Sequence, residues 1–442
     1  MSRLSTKALE GVRVLDFTWS VAGPTITAIL ASLGAEVIKV EWPAHPDMMR
    51  TTMYANDVEK TLDSGCFFAT INPGKRGLSV DVRTEAGFAI IEALVAKSDL
   101  VTESFSSGVM ERWGLSFERM VEIKPDIMYL SLAGFGHSGR YRSYDTWGPT
   151  AQSFNGLAGL SGLPGHAPAG WGFSYMDVMG GYTGAVAALM ALFHHRRTGE
   201  GQYVDIAQTE CGLALSGSSF LNSSVNGHDG GRVGLPPGNR SDWPGATLAQ
   251  GTRGETGAPY NCYRTDGGGR WDYCAITALT EAHWQALKVA MGRPAWADEN
   301  RYSTLALRLA NQDDLDAHVG AWAAGFEKHD LMARLQAAGV PAGAVQSPEE
   351  LAEYDPQLKH RAVFARGQHP LLGDHQWETF PLHLSQTPNE FTPRWPLLGA
   401  DNEYVLKELL GLSADEVAEL DAHHVTWPEG MSRDVGIEKS LW

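Results

Sequence analysis

The sequence predicts an α/β protein in which a parallel sheet carries helices on both faces. Over the first 132 residues, short apolar runs that suit strands alternate with segments whose apolar residues recur at helical spacing. This alternation is typical of parallel sheets, because a helix crosses over between neighbouring parallel strands. The composition, 43% hydrophobic and 20% charged, is that of a folded protein, and 442 residues are enough for two or three domains.

The first unit of the predicted sheet runs from Val14 to Glu41 and reads VLDFTWSVAGPTITAILASLGAEVIKVE. An apolar strand ends in a turn, an Ala- and Ile-rich helix follows, and Gly34 separates that helix from a second strand. The pattern then repeats along the chain. The predicted strands lie at 12–17, 36–40, 78–82, 100–102 and 127–132, and the predicted helices at 25–33, 86–96 and 178–197.

The second half of the chain predicts a smaller α+β domain. Residues 216–259 are rich in Gly, Ser and Asn, which is typical of a linker. Beyond it the pattern predicts a strand at 271–277, helices at 283–291 and 312–324, a second crossing at 340–347, and a final helix capped by Ser413 with Glu416 in the capping box. We expect residues 1–225 to form the first part of the large domain, 226–338 the small domain, and 339–442 the return to the large domain.

Charge and cysteine content narrow the function classes. The formal net charge is −17, which argues against a nucleic-acid or anionic-membrane partner. The four cysteines show neither a CxxC pair nor a histidine at metal spacing, so reduced thiols, no metal site and a cytoplasmic location are expected. Neither a signal peptide nor an apolar run of membrane-spanning length is apparent.

The first turn, SVAGP, has one glycine where a dinucleotide site needs GxGxxG, so NAD binding is not expected. A second turn, INPGKRG, places Lys75 and Arg76 side by side with Asn72 nearby. Two adjacent cations on a turn could bind phosphates, although a solvated turn is the simpler interpretation.

Asp177 stands at the start of the long predicted helix, within YMDVMGGYTG. One interpretation is a helix N-cap, for which Asp is a preferred residue. The other is a nucleophile, because a partly buried carboxylate can attack an acyl carbon. Gly180, Gly181 and Gly184 follow at a cost of about 1 kcal/mol each in helix stability, so a packed helix or a ligand must approach this backbone closely.

Several long stretches resemble the class III CoA transferases, the family of formyl-CoA and carnitine CoA transferases. The similarity spans nearly the whole chain. It is found in the segments LEGVRVLDFTWSVAGPTITAILASLGAEVIKVE, INPGKRGLSVDV, YMDVMGGYTGAVAALMAL, RRTGEGQYVDIA and GVPAGAVQSPEELAEYDPQLKHR. The resemblance implies a Rossmann-like large domain whose sheet is built from both chain ends, a small domain between them, and an intertwined homodimer. It also implies acyl-CoA and a carboxylic acid as substrates, with no tightly bound cofactor.

Carried over by position, the catalytic aspartate of the family falls on Asp177. The family's CoA contacts fall on Val21, Ala22, Asn72, Lys75, Ser104, Phe105, Arg112, Arg142, Tyr144 and Asp145. Two features depart from the family pattern. The segment ESFSSG lacks the cation usually found there, so Lys75, Arg76 and Arg112 are expected to carry more of the phosphate charge; and the first turn has Trp19 and Val21 where several members have Gln or Arg.

The implied reaction moves CoA between two acids through an aspartyl-CoA thioester on Asp177. Backbone N–H groups of the glycine-rich segments could stabilise the oxyanions. Gly251, Gly254 and Gly257 are expected to form either a mobile loop over the site or an inert surface turn. The rivals are an alpha-methylacyl-CoA racemase, disfavoured because Tyr144 replaces the histidine of its acid–base pair, and a non-catalytic CoA-binding subunit of a heteromer. Aromatic residues near the aspartate hint at a bulky acyl group: Trp147, Trp171 and Phe173.

Overall fold

The computed structural model describes residues 7–161, 167–170, 172, 174–227 and 257–430. Its centre is a six-stranded sheet in which every neighbouring pair is parallel. The strands are β1 (Arg13–Phe17), β2 (Glu36–Glu41), β3 (Arg76–Ser79), β4 (Leu100–Glu103), β5 (Met128–Ala133) and β6 (Tyr203–Ala207). Their order across the sheet is β3-β2-β1-β4-β5-β6, so the direction of strand addition reverses between β1 and β4. The predicted α/β class with a parallel sheet is confirmed.

Helices pack on both faces of this sheet, and two large apolar clusters lie between the helices and the strands. The helices of this half of the chain are α1 (Ala22–Ser32), α2 (Cys66–Ile71), α3 (Glu85–Val95), α4 (Val109–Arg112), α5 (Phe117–Ile123), α6 (Gly148–Phe154), α7 (Tyr175–Thr198), α8 (Gln208–Leu213) and α9 (Gly217–Asn226). A 3₁₀ turn at Met48–Thr51 lies between β2 and α2.

The glycines of α7 are explained mainly by helix packing. A Cβ added at Gly181 would lie 2.6 Å from Thr25 Cβ, and one at Gly184 would overlap Ile26. Only glycine allows α1 and α7 to approach this closely, which accounts for its cost in helix propensity. By length and composition alone α7 could cross a membrane, but its glycine face is buried against α1.

A second group of elements forms a smaller antiparallel sheet of order β7-β8-β9 with helices. The strands are β7 (Tyr260–Arg264), β8 (Tyr273–Thr277) and β9 (Ala342–Ala344), and the helices are α10 (Glu281–Ala290), α11 (Leu305–Ala310), α12 (Gln312–Ala323), α13 (Lys328–Ala337) and α14 (Pro356–His360). Trp284 and Tyr302 are fully buried in its separate core.

The C-terminal elements are the antiparallel hairpin β10 (Phe364–His369) and β11 (Gly373–Glu378), a π-helical segment at Tyr404–Leu409, and α15 (Ala414–Ala422). The predicted Ser413–Glu416 capping box at α15 is present. Of the described residues, one compact unit comprises 7–156, 172, 174–214 and 360–430, and the other comprises 157–161, 167–170, 215–227 and 257–359.

One expectation about the sheet is corrected, and one strand of it was not predicted. All six strands come from the segment between Arg13 and Ala207. The described C-terminal part meets the edge of this sheet through a bridge between Val80 and Thr426 and a hydrogen bond from Asp401 N to Gly77 O at 3.0 Å, without adding a strand to it. The C-terminal strands pair with each other in a separate antiparallel hairpin. Strand β6 was not predicted, because its exposed and polar first residues hide the apolar signal.

Candidate active site

A pocket of about 640 Å³ opens where the carboxyl ends of β1, β4 and β5 meet. In open α/β sheets ligands bind at this edge, beside the point where the strand order reverses. Residues of the loops that follow these strands form most of the wall, together with the 45–52 segment and the start of α7. The lining residues that matter below are Trp19, Ala22, His45, Met48, Ser104, Phe105, Phe135, Arg142, Tyr144, Trp147, Asp177 and Gln208.

Asp177 is the carboxylate of this pocket. It is the third residue of α7, and the residue at the N-cap position is Ser174, whose backbone is left-handed with φ of 42°. The interpretation of Asp177 as the N-cap is therefore wrong, since the helix begins two residues earlier. Burial raises the pKa of Asp177 above its ordinary value, although hydrogen bonds from Gln208 and Ser174 oppose the rise.

Gln208 holds the Asp177 side chain. Its Nε2 donates a hydrogen bond to Asp177 Oδ1, and the glutamine is 5% exposed. On the other side of the carboxylate, a Cβ added at Gly148 would lie 2.6 Å from Asp177 Oδ2. A glycine at the start of α6 therefore leaves room for the second carboxylate oxygen.

Six of the twelve predicted site residues line the pocket: Asp177, Ala22, Ser104, Phe105, Arg142 and Tyr144. The Ser104 hydroxyl accepts a hydrogen bond from Trp19 N at 2.8 Å, which ties the loop after β4 to the loop after β1. Phe105 contacts Trp19 edge-on at 5.4 Å between ring centroids. Arg142 and Tyr144 are exposed side chains on the loop after β5.

Lys75 and Asn72 lie outside the pocket, in the interior. Lys75 Nζ donates to Asn72 Oδ1 at 2.7 Å and to Pro24 O at 3.1 Å, and it lies 3.2 Å from Asp16 Oδ2. The lysine is fully buried, so the alternative of a solvated turn is wrong. The phosphate contact expected of Lys75 stays a prediction, and its observed contacts are those of a structural ion pair.

The other four predicted contacts also lie outside the pocket wall. Arg76 bonds Glu36 and Asp401 and stacks on Tyr404. Among the remainder, the Val21 side chain packs in a small apolar cluster, Arg112 is exposed on α4, and Asp145 is exposed with its Oδ1 3.5 Å from Ser106 Oγ.

A second, apolar cleft of about 350 Å³ adjoins the pocket and shares Trp19, Phe105 and His45 with it. It lies at the carboxyl ends of β1, β2 and β3, where the chain after each strand supplies the wall. Its remaining lining includes Trp42, Val80, Asp81, Val82, Arg83, Val109 and Trp113. The two spaces lie side by side along the sheet edge.

Sequence reasoning missed Gln208, as well as the lining residues His45, Met48 and Phe135. The signal for Gln208 was present in GQYVDIAQ, where a polar residue follows an apolar strand end, but β6 itself was not predicted. Of the other sequence expectations, Trp171, Phe173, Gly251 and Gly254 lie outside the described residues. In the part of the chain that the structure describes, no three His, Cys, Asp or Glu side chains are grouped to hold a metal ion.

The fold and site define a doubly wound α/β protein with a carboxylate-bearing pocket at its topological switch point. A model of CoA-transferase family III matches residues 9–402 of the chain. The chain therefore belongs to CoA-transferase family III, as its sequence motifs predict. It is an enzyme of this type, whose family acts on CoA thioesters and carboxylic acids.

The similarity to named relatives extends over almost the full length of this chain. The chain is 31% identical to a succinyl-CoA–D-citramalate CoA-transferase of Chloroflexus aurantiacus, over 96% of this chain and 99% of that protein. It is also 31% identical to a formyl-CoA:oxalate CoA-transferase of Rhodopseudomonas palustris, over 96% and 98%. A crystal structure of a CAIB/BAIF family protein from Brucella suis superposes with a TM-score of 0.78 at 28% identity, over 91% of this chain and 99% of that one.

Proposed function

We propose that the enzyme transfers CoA from an acyl-CoA donor to a free carboxylic acid through an aspartyl-CoA thioester on Asp177. The observation that carries this proposal is the half-buried Asp177 carboxylate, held by a neutral amide and facing the pocket at the sheet edge. An ion-paired carboxylate would be a poor nucleophile, because a cation stabilises its negative charge. Asp177 is free of that restraint, since its pKa is set by burial and by hydrogen bonds from Gln208 and Ser174.

The reaction begins when an Asp177 oxygen bonds to the acyl carbon and the carbon–sulfur bond breaks, giving a mixed anhydride and CoA thiolate. The thiolate then attacks Cγ of Asp177 and releases the donor acid as its carboxylate. The acceptor carboxylate reverses both steps and leaves as the new acyl-CoA. The aromatic walls support this route, because exclusion of water protects both activated intermediates from hydrolysis.

The adjoining apolar cleft is suited to the nucleotide end of CoA. Trp42 and Trp113 offer flat apolar surfaces to an adenine ring, and Arg83 lies in the same wall. Arg142 in the pocket and exposed Arg112 on α4 are available for phosphates. This placement puts the thiol end of CoA toward Asp177, because the cleft and the pocket share Trp19 and Phe105.

The lining of the pocket around Asp177 is suited to an acid with a bulky apolar or aromatic acyl group. Five described lining residues are aromatic, namely Trp19, Phe105, Phe135, Tyr144 and Trp147, whereas the basic ones are His45 and Arg142. The relatives named above act on oxalate, formyl-CoA, citramalate and succinyl-CoA. We infer that at least one of the two acids between which this enzyme transfers CoA differs from the acids of those relatives.

The test is a panel of acyl-CoA donors and free acids, with new thioesters identified by mass spectrometry. Donor-treated enzyme is then exposed to hydroxylamine or borohydride, and the modified peptide is mapped. We expect new acyl-CoA and a single mark on Asp177 within SYMDVMGGY. Solvent deuterium entering the alpha carbon of a 2-methylacyl-CoA without CoA exchange would instead identify a racemase, and an inactive single chain rescued by a second protein would indicate a subunit of a heteromer.

We also propose a homodimer, which is supported by an apolar stripe on the solvent side of α7. Val186, Met190 and Phe193 are 57%, 67% and 62% exposed and recur at helical spacing. A contiguous apolar surface of this kind is typical of an interface. Light scattering should give a dimer mass, and Met190→Glu should reduce it if this face is used. The expected cytoplasmic location, without nucleic acid or membrane as a partner, remains a prediction.

A further inference from the structure

The two oxygens of Asp177 lie in different surroundings. Oδ1 accepts a hydrogen bond from Gln208 Nε2, whereas Oδ2 lies beside Gly148, where a Cβ would come within 2.6 Å. One oxygen is thus held by a donor. Oδ2 is not bonded to Gln208 and lies beside a residue without a side chain, which favours Oδ2 as the atom that forms the bond.

Gln208 is itself held in place. It directly follows β6, whose last residue Ala207 pairs with Ala133 of β5. The next residue, Thr209, donates its N–H to Gly134 O at 3.0 Å. Gly180 makes room for the glutamine, since a Cβ there would lie 3.2 Å from Gln208 Cγ. Donors fixed on regular elements lose little energy to reorganisation when charge develops next to them.

We propose that Gln208 orients Asp177 for attack through Oδ2 and then stabilises the oxyanion that develops on Oδ1. This inference rests on the proposed function and assigns an atom to each step. Oδ2 forms a bond to the acyl carbon while the carbon–sulfur bond breaks and the electron pair leaves with CoA as thiolate. The negative charge of the carboxylate has then moved to sulfur.

The thiolate next attacks Cγ, and its electron pair forms the carbon–sulfur bond. The Cγ carbonyl electrons move to Oδ1, which carries the negative charge of the tetrahedral intermediate. When that charge returns to form the carbonyl, the Cγ–Oδ2 bond breaks and the donor acid leaves as a carboxylate. Gln208 donates to Oδ1 throughout. The acceptor acid regenerates the same oxyanion on the return, so the glutamine serves both halves of the reaction.

A neutral amide is suited to this role. A cation at the same place would stabilise the resting carboxylate as well as the oxyanion and would weaken the nucleophile. The titratable groups that line the same pocket are His45, Arg142 and Tyr144, and none of them is a cause of the shift in the pKa of Asp177. Because Gln208 opposes the rise in this pKa, its loss should move the pKa further up.

The decisive variant is Gln208→Met, which keeps the length of the side chain and removes the donor. We expect kcat to fall by about a hundredfold, the usual effect of losing one oxyanion donor, with little change in the KM for acyl-CoA. Formation of the aspartyl-CoA thioester, followed by intact-protein mass in a single turnover, should slow equally. The acid limb of kcat/KM should move to higher pH, since Asp177 must be ionised to attack. Merely loosened packing would not move that limb.

Gln152→Met is the matched control, because Gln152 is also buried but lies outside the described pocket lining. Gln208→Glu is the second variant: a carboxyl beside Asp177 should share a proton with it and recover activity as the pH falls. Wild-type thioester rates and an unmoved acid limb in Gln208→Met, with Asp177 still labelled, would overturn the inference and leave the proposed function standing. If Asp177 carries no label in the wild-type enzyme, both the inference about Gln208 and the proposed function are overturned.

Discussion

Two aspartates beside the same sheet, the fully buried Asp16 and the half-buried Asp177, have opposite surroundings. Asp16, in β1, accepts hydrogen bonds from Thr18 Oγ1 at 2.5 Å and Thr27 Oγ1 at 2.7 Å, and Lys75 Nζ lies 3.2 Å away. Asp177 is held by the neutral Gln208 amide. Burial raises the pKa of both, but Lys75 and Lys39 hold the pKa of Asp16 below its ordinary value, whereas the pKa of Asp177 stays raised.

The difference separates a structural carboxylate from the proposed nucleophile. Asp16 and Lys75 are both fully buried, and burial lowers the pKa of Lys75 to about 8. Such a pair stabilises the fold chiefly because the loss of either member leaves a buried charge behind. Asp177 carries a destabilising charge that the fold tolerates at the mouth of a pocket, as is common for functional carboxylates.

The largest expected effect is on activity, in Asp177→Asn. The asparagine can still accept the hydrogen bond from Gln208 but cannot form an anhydride, so turnover should fall by about 10⁴-fold or more. Stability should hold or rise at neutral pH. A raised pKa means that ionisation of Asp177 costs stability as the pH rises above 3.8, so the gain in melting temperature should shrink at low pH. Near-normal turnover in this variant would contradict the mechanism.

The second effect is on stability, in Lys75→Met. The change leaves Asp16 buried without its nearest cation, and the free energy of unfolding should fall by about 3–5 kcal/mol in urea titrations. Arg119→Met is the control, because that exposed arginine pairs with Glu92 and Glu122 at the surface and should matter little. If Lys75→Met instead leaves stability unchanged and weakens CoA binding, the lysine contacts phosphate as its sequence position implies.

A third change tests the space around the proposed nucleophile, Asp177. In Gly148→Ala the new methyl group must displace Asp177 Oδ2, since the added atom would lie 2.6 Å from it. A misplacement of this size should lower kcat by about a hundredfold while the fold survives. Gly217→Ala is a suitable control, because an added Cβ there meets nothing within 4 Å. Equal activities of the two variants would show that Oδ2 is not the attacking atom.

The smallest expected effect is on the KM for acyl-CoA, through a contact to one of the CoA phosphates. Arg112 is exposed on α4, between cleft residues Val109 and Trp113. Arg112→Ala should raise the KM for acyl-CoA by about tenfold, the equivalent of one charge-assisted hydrogen bond, without altering the melting temperature. Dephospho-CoA thioesters identify which phosphate is involved, since a substrate that lacks the bound phosphate should lose the difference between variant and wild type.

The sequence alone determined the alternating strands and helices, the Ser413 cap, the family, and the place of Asp177 in the chain. Each of these depends on local spacing or on long motifs, which a sequence displays directly. The element boundaries shifted by a few residues, and this shift alone ruled out the N-cap interpretation of Asp177, which is a side chain of the first helical turn.

Only the tertiary structure decided which charges are paired. Lys75 is 59 residues from Asp16, and Gln208 is 31 residues from Asp177. No local pattern encodes such separations, because they arise from the crossovers that bring strand ends to one edge of the sheet. For the same reason the sequence placed Lys75 among the cations of a phosphate site, while the folded chain buries it against an aspartate and leaves Asp177 with an amide.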